Sequence, residues 1–206
     1  MIVYLKAIFN LFKNYHFYAL PILLNEIIFN FKHDKFFNKI KILNSNSLSD
    51  SIPCPYFFLQ KIEKFIKKKN IKIICDLGSG YGKIIYFFGK YLKYKIDGVE
   101  LDREIFDKSK KLADININII NKNILNYDLS IIRYDLLILN DPLKKLKDFQ
   151  LIIKKIRNLK HDCYVVLINI TLDKANILMN NLEIIKIYKI TRNKNIYFCK
   201  KLNGGP

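Results

Sequence analysis

Along most of the chain, short unbroken apolar runs alternate with stretches in which apolar residues recur every three to four positions. The first pattern marks strands buried on both faces, the second helices with one buried stripe. Read in order, residues 56–68 form a helix, 71–75 a strand, 83–91 a helix, 96–100 a strand and 103–113 a helix. Strands follow at 115–120 and 135–139, then a basic helix at 147–159, a strand at 163–169 and a short helix at 172–181. Two last strands, 184–190 and 196–200, flank Thr191-Arg192-Asn193-Lys194-Asn195, whose polar residues punctuate a hairpin. The alternation predicts an α/β fold, a parallel sheet with helices on both faces and an antiparallel hairpin at its end.

The first 49 residues break this rhythm. Met1, Ile2, Leu5, Ile8, Phe9 and Phe12 share one helical face, and Leu24, Ile27, Ile28 and Phe31 share another after Pro21, a residue suited to a helix's first turn. Two amphipathic helices are expected, packed on the α/β domain in preference to lying on a membrane; peripheral membrane contact through residues 1–31 is the alternative. The longest apolar run there, residues 17–24, is far short of the ~20 a membrane span requires, and no small-residue cleavage site marks a leader. Asn44-Ser45-Asn46-Ser47-Leu48-Ser49-Asp50-Ser51 reads as a linker. The expected organisation is a helical extension over 1–49, one domain over 50–201 and a loose tail over 202–206.

Candidate chemistry gathers where the first strand ends. Ile71-Lys72-Ile73-Ile74-Cys75-Asp76-Leu77-Gly78-Ser79-Gly80-Tyr81-Gly82 carries a strand into a glycine-rich turn and then a helix, and Glu100 ends the next strand 20 positions after Gly80. Glycines let a backbone approach a ligand, a helix N-terminus offers free N–H groups, and an acid at the second strand's end can accept hydrogen bonds from a ribose diol. Dinucleotide sites space their glycines G-x-G-x-x-G. Here the spacing is Gly78-x-Gly80-x-Gly82, and Asp76 in front would repel a pyrophosphate while orienting, directly or through water, the ammonium group of an amino acid.

This set resembles the class I S-adenosylmethionine-dependent methyltransferases, whose first motif is an acid followed by G-x-G-x-G and whose second is an acid ending the next strand. Asp76, Gly78, Gly80, Gly82 and Glu100 match position by position. The resemblance covers residues 52–201 and implies a seven-stranded Rossmann-like sheet with strand seven antiparallel between strands five and six, S-adenosylmethionine as cofactor, and methyl transfer as activity. It implies cofactor contacts from Asp76, Gly78, Ser79, Gly80 and Gly82, ribose binding by Glu100, packing on the adenine by Leu101, and adenine contacts from Asn123 and Ile124, where the family carries an acid. Asn140-Asp141-Pro142-Leu143 is similar to the [DN]-P-P-[YFW] motif of methyltransferases acting on nitrogen. Asn140 and Pro142 would then orient an amine and Asp141 hold or deprotonate it, while Leu143 lacks the ring that stacks on a flipped base. Ser51-Ile52-Pro53-Cys54-Pro55-Tyr56 resembles the P-x-P-x segment of small protein-lysine methyltransferases related to the one that modifies the ATP synthase c-subunit, which implies that Pro55 and Tyr56 close over the cofactor. A protein lysine is the favoured methyl acceptor; RNA or another nucleic acid comes next, then a small metabolite. A cofactor-binding partner protein that has lost transfer is the non-enzymatic alternative.

Composition changes this picture little. The formal charge of +18 suggests an anionic partner, but only Arg103, Arg133, Arg157 and Arg192 among the 36 basic residues are arginine. The lysine excess accompanies abundant Ile and Asn and so reflects codon bias, and scarce arginine argues against dedicated nucleic-acid readout. Cys54, Cys75, Cys163 and Cys199 form no C-x-x-C pair and read as buried apolar residues of a reducing, cytoplasmic setting. His16, His33 and His161 have no metal-ligand spacing, and no metal site is expected.

Overall fold

The computed structural model describes residues 12, 13, 15–32, 41, 49–191 and 194–202. The apolar runs become β1 (Ile73–Leu77), β2 (Lys95–Glu100), β3 (Ile117–Asn121), β4 (Leu136–Leu139), β5 (Tyr164–Ile168), β6 (Leu182–Thr191) and β7 (Lys194–Lys201). They join one sheet in the order β3-β2-β1-β4-β5-β7-β6. β1 to β5 run parallel, and β7 lies antiparallel between β5 and β6. This is the topology the resemblance implied. Strand order reverses between β1 and β4, and open sheets of this kind bind ligands beyond the carboxyl ends of the strands at that point.

Side chains alternate across each strand, so neighbours enter opposite cores. Ile74, Ile96, Ile138, Val166 and Phe198 meet α2 (Tyr56–Lys69) and α3 (Lys83–Ile85) on one face. Cys75, Leu77, Leu137, Leu139 and Val165 meet α5 (Leu146–Arg157) and α6 (Leu172–Met179) on the other. Burial on both faces is why β4 and β5 read as unbroken apolar runs. α4 (Arg103–Ser109) follows β2 and tightens into a 3₁₀ turn over Lys110–Leu112, so the helix expected over 103–113 ends early. The first strand also shifts from 71–75 to Ile73–Leu77. The Asp135 carboxylate accepts the N–H groups of Lys72 and Ile73 at 2.9 and 3.0 Å, and this side chain replaces a sheet partner ahead of the strand.

The N-terminal helix turns a different face inward from the one expected. In α1 (Ala19–Lys32), Ala19 and Ile22 are buried and Phe29 stacks on Tyr56 with ring centroids 4.6 Å apart. Leu24, Ile27, Ile28 and Phe31, the expected packing stripe, are exposed, Phe31 to 89%. α1 is apolar on more than one side, so periodicity could not select the inner one. Among the described residues no helix is long and apolar enough to cross a membrane. The helix expected in the first dozen residues lies, Phe12 aside, outside the described residues, as do most of the 44–51 linker and the tail beyond Leu202.

After α3 the helix widens into a π-helical stretch over Tyr86–Tyr91, and Gly89 within it lies against β2 and β3. A β-carbon there would come within 2.5 Å of Ile117 and 2.7 Å of Ile96. Gly89→Ala is therefore expected to lose about 1–3 kcal/mol in urea denaturation despite alanine's better helix propensity. An equal or higher midpoint would mean that this contact does not set the helix's approach to the sheet.

Candidate functional site

The glycine turn after β1 is held by the end of β2. Gly78, Gly80 and Gly82 sit at φ of +86°, +55° and +86°, a region that side chains rarely tolerate. The N–H groups of Gly78 and Ser79 both donate to the Val99 carbonyl, at 2.9 and 3.0 Å. Gly80 donates its N–H to Glu100 Oε2 at 2.8 Å, and Glu100 Oε1 accepts the Asp102 N–H at 2.8 Å. Asp102 in turn caps α4 by accepting the Ile105 N–H at 3.0 Å. A β-carbon on Gly78 would lie 2.4 Å from Pro142 Cβ, so only bare backbone passes beneath the loop after β4.

Above this turn opens a cleft whose empty space, counted out into open solvent, is about 810 Å³. Gly78, Ser79 and Gly80 line its floor, Glu100, Leu101, Asn123 and Ile124 one side, and Asn140, Pro142 and Leu143 another. Residues 49–54 complete the wall. Ser49 donates its N–H to the Pro142 carbonyl at 3.2 Å, Asn140 Nδ2 donates to the Ile52 carbonyl at 3.2 Å, and the Lys144 ammonium lies 3.5 Å from the Asp50 carboxylate. Ser51 pairs through its backbone with Lys41, whose ammonium reaches Asp102 at 3.0 Å and Glu104 at 2.6 Å.

The two acids of the sequence motif meet contrasting environments. Glu100 is buried, which raises its pKa, while the N–H groups of Asp102 and Gly80 pull it back. Each of its oxygens keeps a second lone pair for a diol. Asp76 is wholly buried behind the cleft wall, and neither of its oxygens has a hydrogen-bond partner. Burial, aided by the negative charge of Glu100, pushes its pKa up to about 8. The Ser79 hydroxyl beside the turn is also buried and without a partner. A nucleoside carrying a cationic amino acid fits this set, with an acid for a diol, a bare backbone approach, and a buried carboxylate that gains from a nearby positive charge.

Other expected residues are engaged within the protein. Asn123 Oδ1 accepts the Leu125 N–H at 2.9 Å and so closes a turn; the expected bond to an adenine amino group would have to share that oxygen. Buried Ile124 does line the cleft. Asn140 Oδ1 accepts from Asn169 Nδ2 at 3.1 Å. Asp141, expected to hold an acceptor amine, lies outside the cleft lining with φ of +43° and pairs with the buried ammonium of Lys174, which also donates to the Leu143 carbonyl. Gly82 caps α3 and does not line the cleft. Pro55 and Tyr56 begin α2 and do not line it either; residues 49–54 supply that wall. Lys83 and Lys174 are buried at or beside the cleft and carried no signal in a lysine-rich sequence, while Cys54 is buried in the cleft wall as its apolar reading expected. Among the described residues no group of three His, Cys, Asp or Glu side chains could hold a metal.

No protein-family model and no curated protein sequence matches the chain. Solved structures match its fold. An RNA methyltransferase from Salinibacter ruber in complex with S-adenosyl-L-homocysteine has a TM-score of 0.59 at 15% identity, over 75% of this chain and 97% of its own. A TehB-like SAM-dependent methyltransferase from Corynebacterium glutamicum scores 0.56 at 13% identity, over 69% and 86%. The N-methyltransferase NodS from Bradyrhizobium japonicum scores 0.57 at 9% identity, over 70% and 93%. The chain has the fold of the class I methyltransferases.

The raised pKa of Asp76 has a consequence for stability. The folded state holds this proton up to about pH 8, whereas an unfolded aspartate releases it near 3.9. Between those values stability falls as pH rises, by about 1.4 kcal/mol per pH unit from this group. Asp76→Asn removes that slope, so relative to the parent the variant's melting temperature should gain roughly 5–10 °C on moving from pH 5 to pH 7. Melting curves that run parallel across this range would mean that the carboxylate is satisfied.

Proposed function

We propose that this protein is an S-adenosylmethionine-dependent methyltransferase acting on an amine nitrogen, with a protein lysine as the first-choice acceptor. The observation that carries the cofactor reading is the partnerless, buried Asp76 carboxylate behind a glycine turn gripped by Glu100. When bound, the cofactor would supply a methyl group already activated on a sulfonium, which leaves positioning to the protein. Glu100 would hold the ribose hydroxyls, and Leu101 and Ile124 would flank the base.

The acceptor reading rests on the wall between the loop after β4 and residues 49–54. Asn140 is locked between the Ile52 carbonyl and Asn169, and its oxygen retains a lone pair for an amine N–H. Leu143, Ile52 and Pro53 make the surrounding lining apolar. Such a lining suits a lysine's aliphatic stem, and none of these three side chains is a ring on which a base could stack; the cleft's ring, Tyr81, belongs to the glycine turn. Because Asp141 is taken up by Lys174, the acceptor ammonium would lose its proton to solvent before attack. The rate should then rise with pH toward the lysine value of ~10.4. The charge of +18 favours a nucleic acid as the second reading.

S-adenosylmethionine and S-adenosylhomocysteine should bind with micromolar affinity, roughly −8 kcal/mol, and NAD should not. Calorimetry with all three decides the cofactor, and tight NAD binding with silence from the others would overturn it. Radiolabelled S-adenosylmethionine added to a lysate divided into protein, RNA and lipid fractions decides the acceptor; label that RNase removes would replace lysine by nucleic acid.

Asn140→Ala should lower turnover at least about tenfold while changing cofactor affinity less than about twofold, since its bond to the amine matters most in the transition state. An equal loss in both would assign Asn140 to holding residues 49–54.

A further inference from the structure

Glu26 is the sole acidic residue of α1, and it turns inward. Its Oε1 accepts the Tyr56 N–H at 2.7 Å, one of the donors at the start of α2 that no helical carbonyl can reach. Its Oε2 accepts from the Lys83 ammonium at 2.7 Å. Lys83 is only 5% exposed, its ammonium lies 4.0 Å from the centre of the Tyr56 ring, and the residue lines the cleft beside Cys54 and Ile84. A lysine buried to this degree needs its charge matched. An ammonium has three donors, and Glu26 takes one.

The charges around Lys83 restrict what else it could hold. Lys83, Asp76 and Glu26 all act on the buried Cys54 thiol, which places the three ionisable groups around one part of the cleft wall, with Asp76 holding its proton until a positive charge comes near. Glu100 adds a further carboxylate to the lining. One cation among three carboxyl groups disfavours a polyanion such as a pyrophosphate. A zwitterion suits it, because a ligand carboxylate meets Lys83 while the ligand's ammonium meets a carboxylate-rich surround.

We propose that Lys83, tethered by Glu26, binds the carboxylate of an α-amino acid ligand in this cleft, with Asp76 as the opposing charge for its ammonium, so that the N-terminal helix is part of the binding site. This rests on the cofactor reading above and extends it to a residue and a helix outside the glycine motif.

Calorimetry with three ligands tests it: S-adenosylmethionine, decarboxylated S-adenosylmethionine, which keeps the sulfonium and the ammonium, and 5′-methylthioadenosine, which has neither the carboxylate nor the ammonium. The parent chain should bind S-adenosylmethionine at least about tenfold more tightly than its decarboxylated form. Lys83→Met should lose about tenfold or more toward S-adenosylmethionine and less than about twofold toward the other two, and Lys83→Arg should recover part of the loss. Glu26→Gln should show the same ligand pattern at smaller size. A loss by Lys83→Met that is equal for all three ligands, or no loss, overturns the proposal. If Lys83→Met fails to fold by circular dichroism, the parent chain decides alone, since equal affinity for the carboxylated and decarboxylated ligands also overturns it. Silence of the parent chain toward all three removes the cofactor reading together with this one.

Discussion

The end of β2 grips a loop that has no secondary structure of its own. Gly78, Ser79, Gly80 and Asp102 must each place a backbone N–H, and Val99 and Glu100 take all four. The Val99 carbonyl accepts two and each Glu100 oxygen accepts one. The left-handed glycines make the turn sharp enough to bring those donors back to β2, and the absent β-carbon of Gly78 lets the loop after β4 close over it. Glu100 is therefore both a fastener of the loop and a wall of the cleft. A ligand that reaches it meets a carboxylate already fixed in place, which is the condition for binding without a large ordering cost.

Asp76, on the adjacent strand β1, is the counterexample. It shares the motif, the burial and the charge type, yet no N–H group reaches it. Both acids are raised by burial, but backbone donors counter part of the desolvation of Glu100, and nothing counters that of Asp76, which is pushed up to about 8. An unpartnered buried carboxylate is retained at a site whose ligand completes it far more readily than in a core, where an apolar residue would be more stable. The same contrast separates the neutral walls of the cleft from the charged groups around Cys54.

What could be read from the sequence followed from contrast between polar and apolar positions. β4 and β5 are unbroken apolar runs because both faces are buried, and the glycine spacing after β1 announced the turn. The order of elements, the terminal hairpin and the cleft's floor were legible for that reason. α1 was not, because its exposed side is as apolar as its buried side and its inward stripe contains Glu26. The loop after β4 was legible only in its chemistry. Asn140 and Asp141 are residue types suited to an acceptor amine, and Asn169, Ile52 and Lys174 come from distant parts of the chain to pair with them. Spacing within a motif carries no information about partners brought in by the fold.

Net charge illustrates the same limit with the opposite sign. A chain of +18 presents lysine almost everywhere, and so no single lysine stands out. Burial selects two. Lys83 is held by Glu26 of α1, and Lys174 of α6 by Asp141 at the end of β4. Each pair joins an outer helix to the rim of the cleft, and removing one partner would leave the other buried and unmatched, which is the costly outcome for such pairs. The outer helices are thereby coupled to the cleft by charges that cannot be moved independently. Lys41 and Lys144 hold the 49–54 wall from the surface; the two lysines that the surface statistics conceal fix the cleft to the outer helices from within.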